Sequence, residues 1–365
     1  MNLKQLSLVN FKNYASIDLE LGDNINCFVG NNGVGKTTVL DAIYYLSFCK
    51  SYFNPIDTQN VKFGEDFFVV QGSYFHDEQK MDVYCGLKKG TKKKFKWNKK
   101  DYSKLADHIG KLPLVIITPS DAQLISEGSD VRRKFVDGVI SQYDHEYLEH
   151  LLNYNKALSH RNALLKLFFK QRRFDESSLE IWDEKLAQYG QVIHQKRNQF
   201  IEDLAPYFNE YYQIISGGNE QVELKFQSQL FDHSLPELLK MSLDEDRFKT
   251  YTTKGIHKDD LSLLISGHPI KKFGSQGQQK SFLISLKLAQ SDFMFNKKGY
   301  KPLLLLDDIF DKLDDLRVKK IIDLVGSDRF GQTFITDTSE RRIKEAVTSF
   351  SDETQIFNLS EMVYG

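Results

Sequence analysis

Three cysteines are spread through 365 residues, Cys27, Cys49 and Cys85, and no two of them form a CxxC pair. That scarcity argues against a zinc ribbon or a disulfide framework and for a reducing compartment. Long apolar runs are also missing. The opening "MNLKQLSLVNF" has no signal-type apolar core, and no stretch approaches the length of a membrane helix, so a soluble, cytoplasmic chain without membrane contact is expected. Nor does one sign of charge dominate. The net charge is −1, so no global field announces a nucleic-acid partner and any basic surface must be local. What is present is 41% hydrophobic and 13% aromatic residues, enough for a real core, in a length that suits one large domain or a core with one sizeable insert.

The order of patterns favours the second arrangement. The first thirty residues alternate like strands in "LKQLSLVNF", "SIDLEL" and "NINCFVG", and a glycine-rich turn then leads into "TTVLDAIYYLSF", whose apolar residues recur at helical spacing. Strand patterns return in "FFVVQGSYF", "MDVYCGL" and "KKFKW", an antiparallel meander, and "LPLVIITP" suits a buried strand. From about 130 to 213 the glycines thin out and long helical periods take over, in "YLEHLLNYNKALSHRNALLKLFF" and "IWDEKLAQYGQVIHQKRNQFIEDL", with "KQRRFDESS" as the tip of a hairpin between them. Strand patterns resume after "SGG", ending with "KPLLLLDDIF" and "QTFIT". The chain reads as an α/β core interrupted by a helical arm, with lobes at 1–120 and 250–365 and the arm at 121–249.

"GNNGVGKT", Gly30 to Thr37, fits G-x-x-x-x-G-K-[ST] between a strand and a helix. Gly30, Asn31, Asn32, Gly33, Val34 and Gly35 would let backbone N–H groups curl around phosphate oxygens at a helix N-terminus, with Thr38 behind them. Lys36 would reach the β- and γ-phosphates, and the Thr37 hydroxyl would ligate Mg²⁺. A chance glycine turn is the bland alternative, but the strand–turn–helix context speaks against it. In "LLLLDDIF" two acids stand where a buried strand ends, the place where open α/β sheets bind ligands. Asp307 suits the Mg²⁺ site, and Asp308 suits a carboxylate that orients attacking water.

Charge concentrates once. Residues 88–104 hold nine lysines against Asp101, a local +8 that leaves −1 − 8 = −9 for the rest. Lys92, Lys93, Lys94, Lys96, Lys99 and Lys100 suit sequence-independent DNA phosphate contacts, with Arg132, Arg133, Lys170, Arg172 and Arg173 as further candidates. Phe95 and Trp97 could stack on unpaired bases, but they share one strand face, and core packing is the better reading.

The segment "FGSQGQQKS" carries no acid, histidine or metal ligand, yet "GSQGQ" resembles the signature element of ABC-type ATPases. It lies 275 − 30 = 245 positions after the loop and only 307 − 275 = 32 before Asp307. A serine cap alone does not account for Gly277 and Gln278. With "NFKNY", "GNNGVGKTTVLDAI", "VIITPSDAQLISEGSDVRRKFVD", "YNKALSHRNALLK", "IWDEKLAQYG", "GIHKDDL", "SQGQQKSFLISLKLA" and "LLLLDDIFDKLD", the chain resembles, over nearly its whole length, the RecF family of SMC-like ABC ATPases, bacterial recombination mediators.

The resemblance implies an ABC-type ATPase head, a mixed sheet with its meander, plus the inserted arm. It implies an ATP-dependent homodimer in which Ser275, Gly277 and Gln278 of one copy face the γ-phosphate held by the other, with Asp314 of "DKLDD" crossing the interface. It also implies DNA binding at single-strand gaps, recombinase loading with RecR- and RecO-type mediators, and a link to replication and the SOS response. Several positions depart from the pattern. Lys258 stands where the family has arginine, Thr336 and Asp337 where ABC ATPases have a switch histidine, and Asp308 where a glutamate is usual; Gln123 is a weak match to the glutamine-loop residue. Slow hydrolysis is therefore expected, with ATP as a timer. His257, Asp259 and Asp260 read as a turn packing against the ATPase core in preference to a metal site. Competing classes are a nuclease or helicase, for which extra metal-binding acids or a second motor core are missing, and an ATPase switch acting on a protein partner.

Overall fold

In the computed structural model, residues 1–77, 79–218, 220–309, 315–347 and 353–364 are described. They fall into two compact units. One comprises Met1–Ala122, Glu210–Asn219 and Ser275–Gly365, and the other Gln123–Asn209 and Glu220–Gly274.

The first unit is α/β and contains two sheets. Strands β1 (Asn2–Phe11), β2 (Tyr14–Glu20), β4 (Phe67–His76), β5 (Gln79–Lys88), β6 (Lys94–Trp97) and β7 (Lys100–Asp101) form an antiparallel sheet in the order β2-β1-β4-β5-β6-β7. Short connections between β4, β5, β6 and β7 make it the meander that the alternating patterns predict. Asn98 and Lys99, both at positive φ, supply the two-residue turn between β6 and β7, a geometry matched to the twist of a hairpin. Strands β3 (Ile25–Val29), β8 (Leu114–Ile117), β12 (Leu303–Asp307), β13 (Thr333–Asp337) and β14 (Thr354–Asn358) form a parallel sheet in the order β14-β3-β13-β12-β8. Every residue of β3, β8, β12 and β13 is buried, as the continuous apolar run "LLLL" requires of strands covered on both faces.

Helix α1 (Lys36–Phe48) buries Val39, Leu40, Ala42, Ile43 and Leu46 in one core with Leu3, Leu6 and Leu8 of β1, Phe28 of β3, Leu305 of β12 and Phe334 of β13. The same unit holds α9 (Gln276–Lys298), α10 (Asp315–Val325), α11 (Glu340–Ala346) and α12 (Leu359–Tyr364).

The second unit is helical: α2 (Gln123–Ser126), α3 (Ser129–Tyr143), α4 (His145–Gln171), most of α5 (Glu176–Ser216), α6 (Leu235–Met241), α7 (Leu243–Lys249) and α8 (Ile270–Phe273). It also has a small sheet of its own, β11-β10-β9, from β9 (Val222–Gln227), β10 (Asp260–Ile265) and β11 (His268–Pro269). This changes the expected division of the chain. Residues 250–274 belong with the helical unit and not with the second lobe, because β10 pairs along its full length with β9, from Asp260 opposite Gln227 to Ile265 opposite Val222.

The segment "GIHKDDL" moves with them. His257 bonds Tyr154 Oη through Nδ1 (2.9 Å) and Thr252 O through Nε2 (3.0 Å), and burial lowers its pKa to about 4. Asp259 pairs with Arg197 (2.9 Å), although burial pushes its carboxyl up to about 6. These contacts of the turn therefore lie within the helical unit. No group of His, Cys, Asp or Glu suited to a metal ion occurs among the described residues, and no described helix is long and apolar enough to cross a membrane.

Candidate nucleotide site

The loop between β3 and α1 has the backbone its glycines permit. Gly30, Gly33 and Gly35 all have positive φ, and at Gly35 a Cβ would lie 2.6 Å from both Asn13 Nδ2 and Tyr14 Oη. Only glycine fits that position. Asn31, Asn32 and Gly33 are exposed at the loop's crest, while Val34 is buried beneath it. Lys36 is 5% exposed and curls back, donating from Nζ to Gly30 O (2.7 Å) and Asn31 O (3.0 Å).

Asn13 was not foreseen as part of this loop. It donates from Nδ2 to Val34 O (3.2 Å) and accepts from Thr38 Oγ1 (2.8 Å), so "NFKNY" holds the loop from the side. Ser360 covers it elsewhere, accepting at Oγ from Asn31 N (3.3 Å). Spacing in the sequence carries no sign of either contact, since both bridge distant segments.

The acidic strand comes to the same place because β3, β13 and β12 are neighbours running parallel, so the ends of all three meet. Thr37 Oγ1 lies 3.0 and 3.1 Å from the two carboxylate oxygens of Asp307. Thr336, at the end of β13, donates to Asp307 Oδ1 (2.8 Å) and accepts from Asp308 N (3.0 Å). Burial raises the pKa of Asp307, opposed by the hydrogen bonds from Thr336 and Thr37. Asp308 is half-buried with φ +46, a left-handed conformation uncommon for a residue other than glycine and most often found where function requires it.

The serine and the second glutamine of the signature segment have a local explanation. Ser275 N-caps α9. Its Oγ accepts from Gln278 N (3.3 Å), and Gln278 Oε1 accepts from Ser275 N (2.6 Å), a reciprocal capping box. A Cβ on Gly277 would lie 2.7 Å from Arg317 Nη1, so the glycine admits that guanidinium. Helix capping therefore accounts for Gln278, which corrects that part of the expectation, while it assigns no role to Gly277. Gln123 is exposed at the start of α2, in the helical unit, and Asp314 lies outside the described residues.

The basic candidates divide. Lys92, Lys94, Lys99 and Lys100 are exposed, and Lys96 is half-exposed beside Asp101 (3.8 Å). Lys93 is instead a structural residue. Its ammonium is held by Asp57 Oδ2 (2.7 Å), Cys49 O (2.6 Å) and Tyr45 Oη (3.0 Å). Arg132 forks onto Asp260 (2.7 and 3.0 Å), and Arg133 donates to Ser129 Oγ and Asp259 O (both 2.6 Å). Both arginines stitch the helical unit together, which removes them from the phosphate-contact set. Phe95 is 2% exposed in the core, with Trp97 packed against it.

The chain matches the model of the RecF/RecN/SMC N-terminal domain over residues 2–357. It is 52% identical over 359 residues to the DNA replication and repair protein RecF of Flavobacterium johnsoniae, covering 98% of this chain and 100% of the relative. It is 49% identical to the same protein of Bacteroides thetaiotaomicron, covering 100% of this chain and 98% of that one. A solved structure of the recombination mediator RecF with ATP, from the RecFOR pathway, superposes with a TM-score of 0.86 at 35% identity, covering 93% of this chain and 92% of the other. An Smc head domain from Pyrococcus furiosus shares the fold, with a TM-score of 0.56 at 18% identity over 94% of this chain and 91% of that one.

Proposed function

Because this chain belongs to the RecF family of DNA replication and repair proteins, we propose that it is an ATP-switched DNA-binding protein of recombinational repair and replication restart. Two copies close around two ATP molecules, engage DNA at single-strand gaps, and release it on slow hydrolysis. The observation that carries the reading is the meeting of Lys36, Thr37, Asp307 and Thr336 beyond the ends of neighbouring parallel strands.

The loop and the start of α1 cradle the phosphates with backbone N–H groups and the helix dipole. Lys36 swings from Gly30 and Asn31, whose carbonyls it meets at hydrogen-bond distance, to the β- and γ-phosphates. Thr37 and Asp307 would hold Mg²⁺, and they fit it. They offer hard oxygen donors 3.0 Å apart, and the cost of burying the Asp307 charge, visible in its raised pKa, would be offset by a cation. When bound, Mg²⁺ neutralises developing phosphate charge. Asp308 orients the attacking water, and Gln123 is kept as a further catalytic candidate through the family. Ser275, Gly277 and Gln278 meet the γ-phosphate of the second copy, with Asp314 across the same interface. Lys92, Lys94, Lys99 and Lys100 supply DNA phosphate contacts. RecR- and RecO-type mediators, the SOS link and a cytoplasmic location belong to the same proposal through the family.

The test compares oligomeric state with and without ATP and gapped DNA for the wild type, Lys36→Arg and Ser275→Arg. ATP-dependent dimerisation of the wild type that disappears in Ser275→Arg supports the sandwich. A dimer indifferent to ATP and to both substitutions refutes it.

A further inference from the structure

Within the ATPase unit a continuous line of buried and half-buried polar groups joins the phosphate-loop helix to the signature helix. It begins at Asp41 on α1, 41 − 36 = 5 residues after Lys36, a carboxylate with no exposed surface. Asp41 is paired with Lys12 (2.5 Å) and accepts from Ser51 Oγ (2.6 Å) and Tyr52 N (2.7 Å). The Tyr52 hydroxyl then donates to Asp121 Oδ1 (3.0 Å). Asp121, also buried, is fixed by Thr118 N (2.8 Å) and pairs with Lys287 Nζ (2.9 Å), which itself donates to Ile116 O at the end of β8 (3.1 Å). Lys287 lies on α9, 287 − 275 = 12 residues beyond Ser275.

A buried ion pair is weak evidence for stability, because desolvation cancels much of its attraction, and a hydrophobic pair would serve as well or better. What such a pair does supply is geometry: a buried ammonium has few places to go, so Asp121 and Lys287 fix the position of α9 against β8 and the turn after it. Tyr52 is the residue in the line that reaches both carboxylate centres, Asp41 through its backbone N–H and Asp121 through its side-chain hydroxyl.

We propose that Tyr52, Asp121 and Lys287 are positioning residues that couple the nucleotide loop to α9, so that nucleotide at Lys36 and Thr37 sets how Ser275 is presented to a second copy. The proposal rests on the ATP-sandwiched dimer and specifies how occupancy of the site is transmitted through the unit.

Tyr52→Phe tests it with the loss of one hydroxyl. The ring keeps its edge contact with Tyr44 (5.1 Å), and Asp121 keeps Lys287 and Thr118. Sedimentation gives the dimerisation constant at saturating ATP, and calorimetric titration with ADP gives the affinity of the monomer. The expected result is dimerisation weakened at least about fivefold with ADP affinity held within about twofold, the size of an ordinary coupling. Lys287→Met should show the same split and Lys287→Arg should restore dimerisation; the double variant Tyr52→Phe/Lys287→Met should be no weaker than Lys287→Met alone, since both break one line. Dimerisation of Tyr52→Phe equal to wild type overturns the coupling, as does a parallel fall in ADP affinity or an additive double variant. A wild type that fails to dimerise with ATP removes the sandwich itself, a result distinct from a wild type that dimerises and a Tyr52→Phe variant that matches it.

Discussion

Thr336 is where the site's geometry can be tested with the smallest change. Valine nearly matches threonine in volume, so Thr336→Val opens no cavity and deletes two hydrogen bonds, one to Asp307 Oδ1 and one from Asp308 N. The residue has no exposed surface, so water cannot replace the hydroxyl. A hydrogen bond to a charged acceptor contributes about 1.5–3 kcal/mol, and a buried donor left unpaired costs about 1–3 kcal/mol. Asp308 N is only partly shielded, which keeps its share at the low end, and the sum is about 3 kcal/mol. For a unit of this size each kcal/mol moves the melting temperature by about 2–4 °C, so a fall of about 6–12 °C is expected. Thr336→Ser keeps the hydroxyl and loses one methyl, and should fall by only about a third as much. Differential scanning calorimetry without nucleotide measures both. The valine variant should also lose more of its Mg²⁺-dependent nucleotide affinity than the serine variant, because Asp307 is then oriented by Thr37 alone. Equal melting temperatures for valine and serine would refute the claim that Thr336 holds the two acids in place.

Replacing Lys92, Lys94, Lys99 and Lys100 with glutamine should leave unfolding within about 0.5 kcal/mol of wild type while weakening DNA binding and flattening its salt dependence, as fluorescence anisotropy at several salt concentrations would show. Lys93→Met should do the reverse, costing about 3 kcal/mol because Asp57 is stripped of its buried cation. Burial lowers the pKa of His108 to about 4 from an unfolded value of 6.5, so between those values the unfolded chain binds a proton the native chain refuses; stability is lost as pH falls, by about 3 kcal/mol in all. Denaturant titrations at pH 7 and 4.5 should reveal this loss in the wild type and a smaller one in His108→Gln. Ser275→Asp should cap α9 as well as serine does, leaving the melting temperature within about 2 °C, yet abolish ATP-dependent dimerisation in sedimentation by placing a carboxylate against phosphate.

The elements that determine the fold were legible wherever a period or a glycine demand was strong. "GNNGVGKT" reads as a glycine-rich turn between a strand and a helix, and "LLLL" as a buried strand; both appear as read. The meander was legible from alternation, and Phe95 and Trp97 from their shared face. The failures have one physical cause. Charge and spacing along a chain do not say which partner a group finds in three dimensions. Arg132 and Arg133 look like free cations until β10 brings Asp260 and the Asp259 carbonyl against them. Lys93 looks like its neighbours until Asp57, remote in sequence, is seen to bury it. Asn13 gives no sign that it braces a loop residue 21 positions away, because an asparagine in a turn has a local explanation too.

The signature segment shows how a structural and a functional account can coexist on the same atoms. The capping box explains Ser275 and Gln278, so the presence of those two alone no longer argues for a phosphate. The cap nonetheless uses Ser275 Oγ as an acceptor, from Gln278 N. A hydroxyl has one donor hydrogen and two lone pairs, so the group that caps the helix keeps its proton to give elsewhere. The cap also orients that proton's oxygen, at an exposed helix terminus whose dipole favours an anion. Aspartate can cap but has no proton to donate and carries the wrong charge. The two roles therefore separate in Ser275→Asp, where stability reports the cap and ATP-dependent association reports the hydroxyl proton.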